Sequence, residues 1–155
     1  MKSEFTVADF MSQNVVVAGY HNKFSEALKF FSIHGMRHLP IVNEKEELVG
    51  IVSLKDLIRV IYTETQNNGS FLIDELNTKF HMGDIMTKNP ISVSPDMKIS
   101  DALNLLQEVP FQALPVLLNK KVVGIITNQD FVEMFAKEVN APRPTFTIEN
   151  PGFGI

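Results

Sequence analysis

Two hydroxyl–carboxylate pairs carry the chain's best-defined chemistry, Ser53-x-x-Asp56 and Thr127-x-x-Asp130. Each lies between an apolar, β-branched run and a segment whose apolar residues recur at helical spacing. A hydroxyl followed three residues later by an acid forms a capping box, satisfying free N–H groups at a helix start. The same geometry suits ligand chemistry. A helix N-terminus offers unpaired N–H groups and partial positive charge to a phosphate or hydroxyl. A carboxylate there can accept two hydrogen bonds from vicinal ribose hydroxyls, as acidic residues do in dinucleotide folds. Both readings are compatible. Gly50 and Gly124, just upstream, would let a ligand approach the backbone closely.

Other chemically capable residues are sparse. Arg37 and His38 place a guanidinium beside an imidazole. The histidines are His21, His34, His38 and His81; His34 and His38 are separated by Gly35 and a strand start, which breaks any helical zinc pair. The absence of cysteine excludes a disulfide scaffold, a thiolate nucleophile, cysteine-ligated zinc and iron–sulfur clusters. No Ser/His/Asp set, acid/base carboxylate pair or P-loop is present, so neither catalysis nor a metal or cofactor is expected.

The elements that must position these residues come in duplicate. The 155 residues suit one domain or two small units sharing a core. Residues 7–43 align with 82–118, and 49–61 with 123–135, with one deletion in the turn after Asn43. Paired identities include Asp9/Asp84, Met11/Met86, Asn14/Asn89, Ser25/Ser100, Ala27/Ala102, Pro40/Pro115, Gly50/Gly124 and Asp56/Asp130. A duplication on this scale decides the architecture.

Each copy predicts a short strand (residues 15–18; 91–94), an amphipathic helix closed by Gly35 or Pro110, an antiparallel hairpin (39–42 with 48–52; 114–118 with 122–126) and a final helix. The unit is β-α-β-β-α, in the α/β (α+β) class. At about 55 residues it is too small to stand alone, so the copies are expected to pack about a pseudo-twofold axis. The division is residues 1–61 and 81–139 for the repeats and 62–80 for a connector, with a turn at 66–70 and a short helix at 71–80. Residues 140–155 depart from the repeat. Pro142, Pro144 and Pro151 favour an extended path, and Phe146, Ile148, Phe153 and Ile155 are anchors expected to pack across the module or onto a second subunit.

Composition narrows the partners. A net charge of −4 and a pI near 5.5 argue against general nucleic-acid binding. No apolar run approaches the roughly 20 residues that span a bilayer, and no secretory signal is visible, so a cytoplasmic location is expected.

Several stretches resemble the CBS domain, and the pair resembles a tandem CBS (Bateman) module. They are Asp9-Phe10-Met11 and Asp84-Ile85-Met86-Thr87, Arg37-His38-Leu39-Pro40-Ile41-Val42, and the runs Gly50 to Asp56 and Gly124 to Asp130. The resemblance covers residues 6–139 and implies a regulatory module binding an adenosyl compound between repeats. AMP, ADP, ATP and S-adenosylmethionine are the implied ligands, acting as effectors, with an unidentified protein partner modulated in trans. A homodimer is also implied, and the alternative is a homodimerisation scaffold whose clefts are vestigial. In nucleotide-binding members each cleft joins the Ser/Thr-x-x-Asp of one repeat to the second-strand entry of the other.

Carried over, a primary cleft joins Thr127 and Asp130 to Met36, Arg37 and His38, with Val17 on an apolar wall beside Val16. A secondary cleft joins Ser53 and Asp56 to Phe111, Gln112 and Ala113, with Ile91 on its wall. Only the first has cations for phosphate. It is therefore expected to take a phosphorylated adenosine, and the second to be weaker or empty.

Overall fold

The structure is a computed structural model that describes residues 4–70, 72–110 and 112–139. The anchors expected in the 140–155 tail, with Phe71 and Phe111, lie outside the described residues. A 3-10 turn, Val7–Asp9, precedes β1 (Ala18–Gly19), α1 (Phe24–His34), β2 (His38–Val42), β3 (Leu48–Ser53) and α2 (Leu54–Asn68). Then come α3 (Ile73–Lys79), α4 (Met82–Ile85), β4 (Thr87–Lys88), α5 (Ile99–Glu108), β5 (Ala113–Leu118), β6 (Lys121–Thr127) and α6 (Asn128–Glu138).

Local rules explain the element ends. Helix α1 buries Phe24, Ala27 and Phe31, one apolar stripe at helical spacing. Its start is capped by Glu26, whose Oε2 accepts the Lys23 N–H at 2.7 Å and Asn22 Nδ2 at 2.8 Å. These bonds, first the one from Asn22, hold the Glu26 carboxyl below its usual range. This small contribution is therefore present above that range and fades as pH falls through it. The helix ends at Gly35, left-handed at φ 60°, whose N–H reaches the Phe31 carbonyl at 3.1 Å. A Cβ at Gly35 would meet nothing within 4 Å, so Gly35→Ala carries only the conformational penalty. It is expected to lower stability by about 1 kcal/mol in urea unfolding, without changing the m-value.

The repeats are built on equivalent pairings. β2 and β3 form an antiparallel hairpin, as do β5 and β6. β1 adds in parallel to β2 through Ala18↔Ile41, and the equivalent Val93 bridges Val116 in parallel. The predicted strands at 15–18 and 91–94 are thus shorter than expected. In the first, the Tyr20 N–H extends the ladder to the Val42 carbonyl at 3.1 Å; the equivalent residue is Pro95, which has no N–H, and the ladder stops. The turn expected at 66–70 also begins later. Helix α2 continues through Asn68, supported by Asn68 Nδ2 on Glu64 Oε2 at 3.2 Å, and closes on left-handed Gly69.

The copies exchange their opening segments. Thr87 in β4 pairs with Ile51 of β3, and its counterpart Ser12 pairs with Ile125 of β6. Thr6↔Lys98 and Lys23↔His81 form a second symmetric pair of bridges. Packing follows the same exchange. Met82, which opens the second copy, is fully buried in the core with Phe24, Leu39, Ile41 and Leu57. Its counterpart Val7 is fully buried in the other core, with Leu106, Leu114, Val116 and Ile126. Two α/β cores related by a pseudo-twofold axis, each completed by the other's opening segment, make the fold. Among the described residues no helix is long and apolar enough to cross a membrane.

Candidate functional site

A cavity of about 590 Å³ opens between the repeats. Gly35 stops α1 and swings the chain into β2, which sets Met36, Arg37 and His38 on one wall, with His34 from the last helical turn. The opposite wall is the end of β6 and the start of α6: Thr127, Asn128 and Gln129. Backbone bonds fix both walls. The Arg37 carbonyl accepts the Leu54 N–H at 3.0 Å, and the Gln112 carbonyl accepts the Asn128 N–H at 3.2 Å. Gln112 holds φ 58°, a left-handed conformation unusual outside glycine and often found where a site is being shaped.

The two hydroxyl–carboxylate pairs are both capping boxes, but they are not equivalent. Asp130 Oδ2 accepts the Thr127 N–H at 2.7 Å and Thr127 Oγ1 at 2.9 Å. Its Oδ1 has no hydrogen-bond partner among the described residues. Asp56 Oδ2 accepts the Ser53 N–H and Ser53 Oγ, both at 2.7 Å, and the Asp56 N–H donates to Ser53 Oγ at 3.2 Å. Its Oδ1 is engaged by Arg59 Nη1 at 3.3 Å, and its side chain is only 11% exposed. The residue equivalent to Arg59 is Glu133, which accepts from Gln129 Nε2 at 3.3 Å. One carboxylate is closed and buried. The other keeps an oxygen for an incoming hydroxyl.

The expected residues distribute as follows. Thr127, Met36, Arg37 and His38 share the cavity, with Asp130 one turn behind Thr127. Val17 does not line it and is 38% exposed; Val15 and Val16 form the wall instead. Gln112 was expected beside Ser53 and Asp56, yet it lines the Thr127 cavity. The Ala113↔Thr127 pairing of β5 with β6 holds it next to its own repeat's hydroxyl. Ile91 is 50% exposed, and Ala113 is buried in its strand. Phe111 lies outside the described residues.

Gly50 and Gly124 serve packing rather than ligand approach. A Cβ on Gly50 would stand 2.2 Å from Met86 Sδ, and one on Gly124 2.5 Å from Met11 Sδ. Each glycine makes room for the methionine of the exchanged segment. Residues that sequence reasoning missed are Ser12, which is bridged to Ile125 of β6, with Asn14, His34, Asn128 and Gln129. The α6 pair could have been inferred, because the two residues after a helix-capping hydroxyl form the first turn beside it.

A second cavity, about 720 Å³, lies at the far end of β1 and β2. Two pairs of its polar side chains are bonded to one another, Asn22 to Glu26 and Asn43 to Glu47. No group of three or more His, Asp or Glu among the described residues could hold a metal ion.

Comparison with known proteins accords with this geometry. A protein of Methanocaldococcus jannaschii described as uncharacterized is 25% identical over 132 residues, covering 85% of this chain and 43% of the relative. The L-aspartate semialdehyde sulfurtransferase of the same organism is 30% identical over 137 residues, covering 87% of this chain and 24% of the enzyme. The chain thus spans less than half the length of these curated relatives. Among solved structures, the CBS domain pair of protein MJ0100 in complex with 5'-methylthioadenosine and S-adenosyl-L-methionine superposes with a TM-score of 0.70 at 26% identity, over 88% of this chain and 99% of that one. Arabidopsis thaliana CBSX2 in complex with AMP superposes at 0.71 and 29% identity, over 87% of this chain and 98% of that one. The CBS domain family model matches residues 7–63 and 82–137, one copy for each repeat. With both repeats matched and the exchanged α/β architecture in place, the chain belongs to the CBS domain family.

Proposed function

We propose that the chain is a ligand-sensing regulatory module of the cytoplasm. It binds an adenosyl compound (AMP, ADP, ATP or S-adenosylmethionine) between its repeats and modulates a partner protein. One observation carries the reading: the 590 Å³ cavity takes its walls from both repeats and combines the start of α6 with a guanidinium. Asp130 is the proposed ribose acceptor, Arg37 and His38 the phosphate contacts, and Met36 an apolar contact. The complexes of the MJ0100 domain pair and CBSX2 support the ligand class. A ligand touching both walls favours one relative arrangement of the repeats, and shifts the equilibrium only by its differential affinity for the two. No catalytic step is proposed.

Thermal unfolding of the purified chain with each compound tests the reading. A ligand at one hundred times its Kd should stabilise by about 2.7 kcal/mol. No shift with any of them, and no nucleotide released on denaturing fresh protein, would sink it.

A second reading, a homodimerisation scaffold with vestigial clefts, is favoured by exposed apolar residues on two helices. Ile58 and Tyr62 on α2 are 56% and 64% exposed, and Val132 and Phe135 on α6 are 61% and 67%. Sedimentation would show a dimer in either case. Only the first reading also predicts ligand stabilisation.

A further inference from the structure

We infer that the cavity sorts adenosyl compounds by charge, admitting phosphorylated ones and rejecting the sulfonium, and that Arg37 and His34 are the residues that do so. This rests on the adenosyl reading above and deepens it. The lining residues comprise one guanidinium (Arg37), two imidazoles (His34 and His38), two hydroxyls, four side-chain amides and apolar groups, with no carboxylate among them. Asp130, the proposed ribose acceptor, is not among the lining residues and has one oxygen already held by Thr127.

Backbone dipoles do not decide the selection. The start of α6 brings partial positive charge to one wall, and the end of α1 brings partial negative charge to the other. Each amounts to about half an elementary charge, so they oppose one another. The side chains decide. Arg37 is exposed, and neither its guanidinium nor the His34 ring has a hydrogen bond or ion pair among the described residues. No intramolecular ion pair must be broken before they meet an anion.

The arrangement gives the two ligand classes opposite outcomes. An adenosine monophosphate places its dianion against an unpaired cation, where planar guanidinium geometry allows two parallel bonds. S-adenosylmethionine places a sulfonium and an ammonium in a cavity with no lining carboxylate to neutralise them. Adenosine itself, uncharged, is the reference that isolates the ribose and base contacts from the charge.

Isothermal titration of the full chain with AMP, adenosine and S-adenosylmethionine tests the inference. AMP is expected to bind at least tenfold more tightly than either of the others, with the gap narrowing as salt rises. Arg37→Ala should bring AMP down to the level of adenosine while leaving adenosine within twofold. Arg37→Lys should retain part of the gap, and His34→Ala should narrow it to a smaller extent. Far-UV spectra and unfolding midpoints matching the parent exclude misfolding at these exposed positions. S-adenosylmethionine binding as tightly as AMP, or Arg37→Ala weakening adenosine as much as AMP, overturns charge selection and leaves the adenosyl reading standing. Failure of all three compounds to bind overturns both.

Discussion

Replacing Gly50 by alanine is expected to destabilise the protein by about 3 kcal/mol, the upper end for overpacking a well-filled interior. The added methyl would lie 2.2 Å from Met86 Sδ, 2.7 Å from its Cγ and 3.0 Å from its Cβ. The thioether end could swing away. The Cβ cannot, because it is fixed to the backbone just ahead of β4, whose Thr87 pairs with Ile51. The strain must therefore spread into the junction where the second repeat completes the first core. Met86→Ala alone should cost about 1–2 kcal/mol, because Met86 packs on that core but is only partly buried. The double variant Gly50→Ala/Met86→Ala should be more stable than the sum of the two single losses predicts, by at least 1 kcal/mol in urea unfolding. Additive losses would mean that the two residues do not compete for the same space. Gly124→Ala should behave alike, since its Cβ would meet Met11 Sδ at 2.5 Å and the Ser12 carbonyl at 3.1 Å.

This exchange marks the limit of what the chain's self-similarity can reveal. Aligning the copies shows that Met11 matches Met86 and Gly50 matches Gly124, so it finds the β-α-β-β-α unit and its hairpins. It does not say which copy supplies a partner. Val7 and Met82 look like the first core residues of their own repeats, yet each is buried in the other's core. Gln112, expected in the secondary cleft, lines the Thr127 cavity, where its carbonyl accepts the Asn128 N–H. Strand lengths differed locally: the predicted 15–18 pairs only from Ala18 and 91–94 only at Val93, beyond which Pro95 has no N–H to continue the ladder as Tyr20 does. By contrast, the grouping of Thr127 with Met36, Arg37 and His38 is where the structure places the cavity. The inequality of the two acids was also legible in principle: Arg59 lies three residues after Asp56, and Glu133 three after Asp130, so one copy offers a cation at i+3 and the other an anion.

That inequality makes the two aspartates separable by experiment. Asp56→Ala is expected to cost about 2–3 kcal/mol of stability, because it leaves the Ser53 N–H unpaired in a buried corner and removes the partner of Ser53 Oγ and Arg59. It should leave affinity for AMP within threefold. Asp130→Ala removes a half-buried cap and should cost nearer 1 kcal/mol. Yet it should weaken AMP by about 30- to 150-fold, the loss of 2–3 kcal/mol for ribose hydrogen bonds to a charged acceptor. Asp130→Asn keeps an oxygen for the cap, so it should recover most of the stability and little of the affinity. Urea unfolding and isothermal titration on the same four proteins give both axes. Equal losses of affinity at the two positions would mean that the Arg59-held carboxylate opens to ligand as readily as the free one. A selective loss at Asp56 would reverse the assignment of the cleft. The expected pattern, stability lost mainly at one aspartate and affinity at the other, follows from a single difference: whether Oδ1 is already occupied.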